Sequence, residues 1–190
     1  MKNLKRLPEK LHFYQFTKMA ILILGLMVAI TSCNMSGGDD DDDDKIGAYM
    51  VSFKSNGVLQ EFTSDHFPQG SLYEIGAQYG AGISAVRSAS SFSIQVLDNK
   101  SITAKSYSGV VKIEATAESP AYLEGASLGY GEGQTSYLSA SLDSDVKVAI
   151  SEITAVSMRG TFSGTLKSSG EQDLVVTDGK FYVPRAQAGG

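Results

Sequence analysis

Alternation of apolar and polar residues with a period of two is the feature that most constrains the fold. Residues 156–166, VSMRGTFSGTL, place apolar residues or glycine on one face: Val156, Met158, Gly160, Phe162, Gly164 and Leu166. VKVAI, residues 146–150, alternates in the same way. This period is typical of strands with one buried and one solvated face. No long helical period appears between residues 46 and 190, so the pattern predicts an all-β domain.

Turn signals separate the alternating segments. Asn56-Gly57 lies between two apolar runs and predicts a hairpin, because a type I′ turn needs positive φ at both central residues. Asp98-Asn99 predicts another turn, Asp178-Gly179 predicts a last hairpin, and Pro184 ends the final strand. Strands at this spacing are typical of antiparallel sandwiches and barrels. We therefore expect residues 46–190 to form a single β-sandwich, or a flattened barrel, of about 8–10 strands.

The first 32 residues have the order of a secretory signal. Five basic residues precede the apolar run of residues 19–30, which is shorter than the about 20 residues of a membrane-spanning helix. Ile30-Thr31-Ser32-Cys33 resembles a bacterial lipobox, and that resemblance makes Cys33 the lipid-bearing first residue of the mature chain. The alternative is an ordinary signal peptide with a chance cysteine. Cys33 is the only cysteine in the sequence, so the domain has no disulfide.

Six consecutive aspartates occupy residues 39–44. Adjacent carboxylates repel one another, so residues 33–45 are expected to be an extended, solvated tether. Acidic runs after the lipid cysteine also resemble the surface-export signal of lipoproteins from Bacteroidota, and a further alternative is Ca²⁺ collection by the carboxylates. The expected location is the outer membrane, anchored by lipid, on the cell surface or otherwise on the periplasmic side.

The charge balance argues against nucleic acid as a partner. Removal of residues 1–32 leaves 11 Lys and Arg against 20 Asp and Glu, a net charge of −9. The sequence contains no basic stripe, which nucleic-acid binding requires. The expected partners are the membrane, through Cys33, and a glycan or an envelope protein.

A family resemblance is carried by the C-terminal segments. ISEITAVSMRGTFSGTL followed by VVTDGKFYVPR resembles the end of small Bacteroidota lipoproteins of the DUF6252-like group. In that group a strand ending in Gly-Thr-Phe precedes a final hairpin with a Gly-Lys-Phe turn. The earlier stretch from VSFKSNGVL to SITAKSYSG fits their strand order more loosely. The resemblance implies a lipid anchor and an all-β fold, and it transfers no catalytic residue because no activity is established for the group.

The residues that enzymes use are sparse. His66 is the only histidine after residue 32, and the sequence has neither a nucleophile elbow nor a His-Glu-x-x-His motif. We therefore expect no catalytic residue, metal or cofactor. Asp143 and Asp145 are interpreted as a solvated turn. Paired carboxylates of a glycoside hydrolase stay open as an alternative, with these candidates: Glu61, Asp65, Glu74, Glu114, Glu118, Glu124 and Glu132.

Tyrosines accompany two glycine-rich segments. Tyr73 and Tyr79 are predicted to be core residues, whereas Tyr122, Tyr130 and Tyr137 are the candidate ligand-binding residues, because an exposed Tyr offers a flat apolar ring and a hydroxyl. Three hypotheses follow. The first is a non-catalytic surface module that captures a glycan or peptide, the second is a structural or interaction subunit of an envelope complex, and the third is a glycoside hydrolase.

Overall fold

The computed structural model describes residues 49–117, 120–139 and 142–186. All of them belong to one compact unit, Lys45–Gly190. The buried core extends from Val51 to Val183, so this unit contains its own hydrophobic core. The predictions made for residues 1–45, which include the signal peptide, the lipidated Cys33 and the acidic tether, lie outside the described residues.

The described part of the chain contains twelve strands and one short 3-10 helix, Ser64–His66. The strands are β1 (Met50–Ser55), β2 (Val58–Phe62), β3 (Gln69–Ile75), β4 (Gln78–Arg87), β5 (Ser90–Asp98), β6 (Ser106–Ser108), β7 (Val111–Ile113), β8 (Tyr122–Glu132), β9 (Thr135–Leu138), β10 (Lys147–Ile153), β11 (Ser157–Leu166) and β12 (Leu174–Pro184). This count exceeds the prediction of about 8–10 because β6, β7 and β9 have only three or four residues each.

Two antiparallel sheets pack face to face as a sandwich, and neither closes into a barrel. The first sheet has the order β2-β1-β12-β11-β10-β6, and the second has the order β3-β4-β5-β8-β7 with β9 also paired to β8. The predicted β-sandwich is confirmed, and the barrel alternative is not what the chain adopts. Long-range pairing dominates, since β1 lies beside β12 at the other end of the domain.

Aromatic rings join the two sheets at the centre of the core. Phe92 of the second sheet lies 4.8 Å from Phe162 and 4.9 Å from Phe53 of the first sheet, measured between ring centroids. These rings are at most 3% exposed, so they bury large apolar surfaces between the sheets. The predicted inward faces of β10 and β11 are confirmed. Val156 is the exception, because it precedes β11 and is 55% exposed.

The Asn56-Gly57 turn is confirmed in detail. Asn56 has φ 47° and Gly57 has φ 84°, as a type I′ turn requires. The turn is also tied to β12: the N–H of Val175 donates to Oδ1 of Asn56 at 2.8 Å, and the N–H of Asn56 donates to the carbonyl of Val175 at 2.9 Å. Asparagine therefore supplies both the left-handed backbone and the acceptor for the neighbouring strand.

The hairpin predicted at Asp178-Gly179 is wrong. These residues lie inside β12, where the pairing shifts between Thr177 and Lys180 on the β1 side and between Val176 and Gly179 on the β11 side. Asp178 has φ 55°, so the two residues form a bulge within a continuous strand. An Asp-Gly pair satisfies the positive φ of a bulge as well as that of a hairpin, and only the pairing partners distinguish them.

The chain bends at Asn99 and Lys100, next to the predicted Asp98-Asn99 turn, and this bend begins a crossover between the two sheets. β5 ends at Asp98 in the second sheet, and β6 pairs with β10 in the first. Asp98 is 3% exposed and accepts hydrogen bonds from the N–H of Lys100 at 3.1 Å and from Nζ of Lys105 at 2.6 Å. The buried carboxylate therefore organises the crossover segment.

Candidate functional site

The three candidate tyrosines do not form an exposed row. Tyr130 is 2% exposed and belongs to the core, because it lies in phase with the inward residues Ala126 and Leu128 of β8. Its ring makes an edge contact with Phe53, with 5.5 Å between centroids, and burial raises the pKa of its phenol. Tyr130 thus has no ring face available to a ligand, and the prediction that it binds one is corrected on this ground.

The other two candidates are half-buried. Tyr137 packs against the core, and its ring centroid lies 6.4 Å from that of Tyr130. Tyr122 begins β8 and pairs with Ile113. Neither side chain lines a described cavity, so neither is grouped there with other residues that could bind a ligand.

Tyr73 and Tyr79 lie on opposite faces of the second sheet. Tyr79 packs against the core as predicted, but Tyr73 pairs with Gly80 and covers it on the outer face. The hydroxyl of Tyr73 accepts a hydrogen bond from Nε2 of Gln95 at 3.0 Å. The prediction of a shared core face is wrong for Tyr73, because the turn between β3 and β4 inverts the phase of the alternation.

An open groove with a volume of about 900 Å³ lies across the outer face of the first sheet. We call it the lysine groove. It is lined mainly by Ser52, Lys54, Leu59, Ser106, Ser108, Lys147, Ala149, Thr161, Ser163, Asp178 and Lys180. Its lining residues come from six strands, β1, β2, β6, β10, β11 and β12.

The strand register aligns these residues in rows. One row runs from Ser52 through Lys180, Thr161 and Ala149 to Ser106, each residue being the cross-strand partner of the next. Cross-strand partners share a face of the sheet. Their sequence neighbours Phe53, Phe162 and Val148 are at most 3% exposed and point into the core, so the whole row faces outward.

The floor of the groove is made by small side chains. Ser52, Ala149, Thr161 and Ser163 occupy the central positions of a six-stranded face. Lys147 lies between Ser108 and Ser163, and Lys54 lies opposite Leu59, which is 58% exposed. Lys180 projects from the same row between Ser52 and Thr161, so the open volume lies above the short side chains that separate the three lysines.

The groove concentrates positive charge. It contains three lysines and one carboxylate, Asp178, which lies 2.9 Å from Nζ of Lys54. Lys147 and Lys180 have no ion-pair partner among the described residues. Asp145 lies one row away from Lys147 on the same face. Its carboxylate accepts hydrogen bonds from the N–H of Thr165 at 2.8 Å and from the hydroxyl of Thr165 at 2.7 Å.

No match to the chain is found among protein-family models, curated proteins or solved structures.

The residues considered for catalysis are dispersed. His66 ends the 3-10 helix, where its Nδ1 accepts a hydrogen bond from the N–H of Thr63 at 2.9 Å. No group of three or more His, Cys, Asp or Glu side chains in the described ranges is arranged to hold a metal. Of the seven candidate glycosidase carboxylates, none lines the lysine groove, Glu74 lines the smaller cavity of about 270 Å³, and Glu118 lies outside the described residues.

Within the described ranges, the structure has no helix with the length and apolar character needed to cross a bilayer.

Sequence reasoning missed the lysine groove. The signal was present on each strand, since Ser52, Ala149, Thr161 and Ser163 are short residues at polar-face positions. Only the strand order brings them together, because β1 and β12 come from opposite ends of the domain and β6 joins β10 from the other side. Neither the order nor the register is encoded in any one segment.

Proposed function

We propose that the protein is a non-catalytic, lipid-anchored component of the cell envelope whose β-sandwich presents the lysine groove as a binding face for a glycan or a peptide. The observation that carries the proposal is the groove itself, about 900 Å³ of open volume floored by small side chains on a sheet face. Short side chains separate the three lysines on this sheet face, and the space above them can receive a ligand that the lysines contact.

The composition of the groove favours binding over hydrolysis. Glycoside hydrolysis uses two carboxyl groups about 5–10 Å apart. The described lining of the groove supplies one, Asp178, and Lys54 neutralises it at 2.9 Å. Lysine and hydroxyl groups can hold a ligand by hydrogen bonds without supplying an acid and a base.

The anchor and the location rest on the sequence. Cys33 would carry the lipid, and the six aspartates at residues 39–44 would separate the sandwich from the headgroups. Replacement of Cys33 by Ala is expected to release the protein from membranes. Proteinase treatment of intact cells tests the side: cleavage of the wild type, with protection of a variant in which residues 39–44 are Ser, supports surface export through the acid run, whereas protection of both contradicts surface display.

The binding face is tested by filling the groove. The isolated unit Lys45–Gly190 would be applied to arrays of glycans and peptides, with an Ala149→Trp variant that places an indole on the groove floor. Ser127→Trp, on the outer face of the second sheet, is the matched control. If the groove is the binding face, the wild type and Ser127→Trp should capture a ligand and Ala149→Trp should not. Equal capture by all three proteins would place the binding face elsewhere.

A second candidate is a subunit of an envelope complex. Strand β2 is an edge of the first sheet, and its residues Val58 and Leu59 are 62% and 58% exposed. An exposed apolar edge is a surface to which a partner strand can add. This candidate expects a complex on native electrophoresis of detergent extracts that Val58→Asp disrupts, and an unchanged migration of that variant contradicts it.

A further inference from the structure

We infer that the ligand of the lysine groove is a carboxylated polysaccharide. This inference rests on the proposed binding function and adds the chemical class of the ligand. Three properties of the groove support it: the sign of its charge, the spacing of its ammonium groups and the hydroxyl groups of its floor.

The charge of the groove is opposite to that of the domain. Residues 46–190 contain 10 Lys and Arg against 14 Asp and Glu. Within the groove three lysines face one carboxylate, and that carboxylate is paired with Lys54. Of the other acids on this sheet, Glu152 is paired with Arg159 at 2.6 Å and Asp145 accepts hydrogen bonds from Thr165. Glu61 lies opposite Ser52, two strands from Lys180, and is not part of the groove lining. Lys147 and Lys180 thus have ammonium groups available for an anionic ligand.

The spacing of the two lysines fits anionic groups repeated along a chain. Lys147 lies on β10 and Lys180 on β12, two strands apart, and the partner of Lys147 on β11 is two residues from the partner of Lys180. With strands about 4.8 Å apart and about 3.4 Å per residue, the two Cα atoms are separated by about 12 Å. A polymer with a carboxylate on successive or alternate units can contact both.

The floor favours a sugar chain over an acidic peptide. Ser52, Ser106, Ser108, Thr161 and Ser163 present five hydroxyl groups, each able to donate and to accept a hydrogen bond. Sugar hydroxyls need such groups, and Leu59 offers an apolar side chain to the C–H face of a ring. Extended peptides are held chiefly by backbone hydrogen bonds to a strand edge, and the groove lies on a sheet face where those groups are already paired.

The test uses one polymer in two charge states. Oligogalacturonate and its fully methyl-esterified form have the same backbone and differ in charge. Binding to the unit Lys45–Gly190 would be measured by calorimetry for the wild type, the double variant Lys147→Gln/Lys180→Gln, and the control Lys112→Gln. Lys112 lies on β7 of the second sheet in an exposed pair with Glu114, so its replacement changes the net charge without touching the groove.

The inference expects binding of the acidic form that weakens by about tenfold in the double variant, remains within about twofold in the control, and falls with added salt. Equal binding of the esterified form overturns the charge assignment but leaves the groove as a binding face, provided that Ala149→Trp abolishes it. Equal or tighter binding of poly-glutamate, under the same dependence on both lysines, overturns the assignment to a sugar. The inference is also overturned if the wild type binds none of a panel of carboxylated polysaccharides. If Ala149→Trp binds the polymer as well as the wild type does, the groove is not the binding face.

Discussion

Nζ of Lys105 lies 2.6 Å from Oδ2 of Asp98, and the carboxylate side chain is 4% exposed while the lysine side chain is 45% exposed. Burial opposes ionisation of Asp98, but the hydrogen bonds from Lys105 and Lys100 and the charge of Lys105 hold its pKa below the ordinary value. The hydrogen bond to Asp98 raises the pKa of Lys105 in turn. The pair is located where the chain crosses from the second sheet to the first, so it joins the end of β5 to the start of β6.

Replacement of Asp98 by Asn is expected to lower the free energy of unfolding by about 1–3 kcal/mol, because a buried acceptor for two donors is weakened. We expect a loss in the lower part of this range, because Lys105 is exposed and water screens its charge. Urea unfolding at pH 7 measures the change. Glu114→Gln, which removes a carboxylate from an exposed pair, should change stability by less than about 0.5 kcal/mol. A loss in Asp98→Asn as small as that in the control would contradict this account of the crossover.

Acid should destabilise the wild type partly through Asp98. Because the pKa of Asp98 is lower in the folded state than in the unfolded state, the ionised carboxylate stabilises the fold. This contribution to the free energy of unfolding is complete above the unfolded-state pKa of about 3.9 and is lost as the pH falls through the folded-state pKa. Hydrogen bonds from Thr165 lower the pKa of Asp145 as well, so both groups act in the same direction. Unfolding curves between pH 2 and 6 should show a smaller loss for Asp98→Asn than for the wild type. If the free energy of unfolding fell equally with pH in both proteins, protonation of Asp98 would not account for the loss of stability.

Gly160 lies at a close approach between β10, β11 and β12. A Cβ at this position would overlap the carbonyl oxygen of Ala149 and the ring of Phe181. Because a backbone atom cannot be moved cheaply, Gly160→Ala is expected to lower the free energy of unfolding by about 2–3 kcal/mol. At Gly131 the nearest atom is the Oγ of Ser91, which can rotate away, so Gly131→Ala serves as the control with a change of less than about 1 kcal/mol. Equal costs at the two sites, measured by urea unfolding, would contradict the tight packing of β11.

Asn56 connects the first hairpin to β12. Asn56→Ala should cost about 1–2 kcal/mol, because alanine disfavours the left-handed backbone and removes the acceptor for the N–H of Val175. Asn56→Asp keeps the acceptor and tolerates the same backbone, so its melting temperature should remain near that of the wild type. If alanine were tolerated as well as aspartate, the link to Val175 would not contribute to stability.

The sequence predicted what depends on local pattern. The inward residues of β10 and β11 follow from alternation, and the Asn56 turn follows from its two residues. The same local rules failed where one sequence signal is compatible with two different local structures. Asp178-Gly179 suits a bulge as well as a hairpin, and Tyr73 changes face because the turn before β4 sets its phase.

The candidate site could not be predicted for a related reason. The chemical type of a tyrosine does not indicate its exposure, and Tyr130 is buried because its strand alternates between the core and the outer face. The lysine groove depends on β1 pairing with β12 and on β6 pairing with β10. Those long-range pairings bring Lys54, Lys147 and Lys180 to one face, and no spacing within a segment indicates them.

If the lysine groove is the binding face, its residues should respond to the ligand. This is measured by titrating isotope-labelled Lys45–Gly190 with oligogalacturonate and following amide chemical shifts in nuclear magnetic resonance spectra. The largest shifts are expected at residues of β1, β10, β11 and β12 around Ser52, Ala149, Thr161 and Lys180. Shifts confined to the second sheet around Tyr122 and Tyr137, with the groove unchanged, would contradict it.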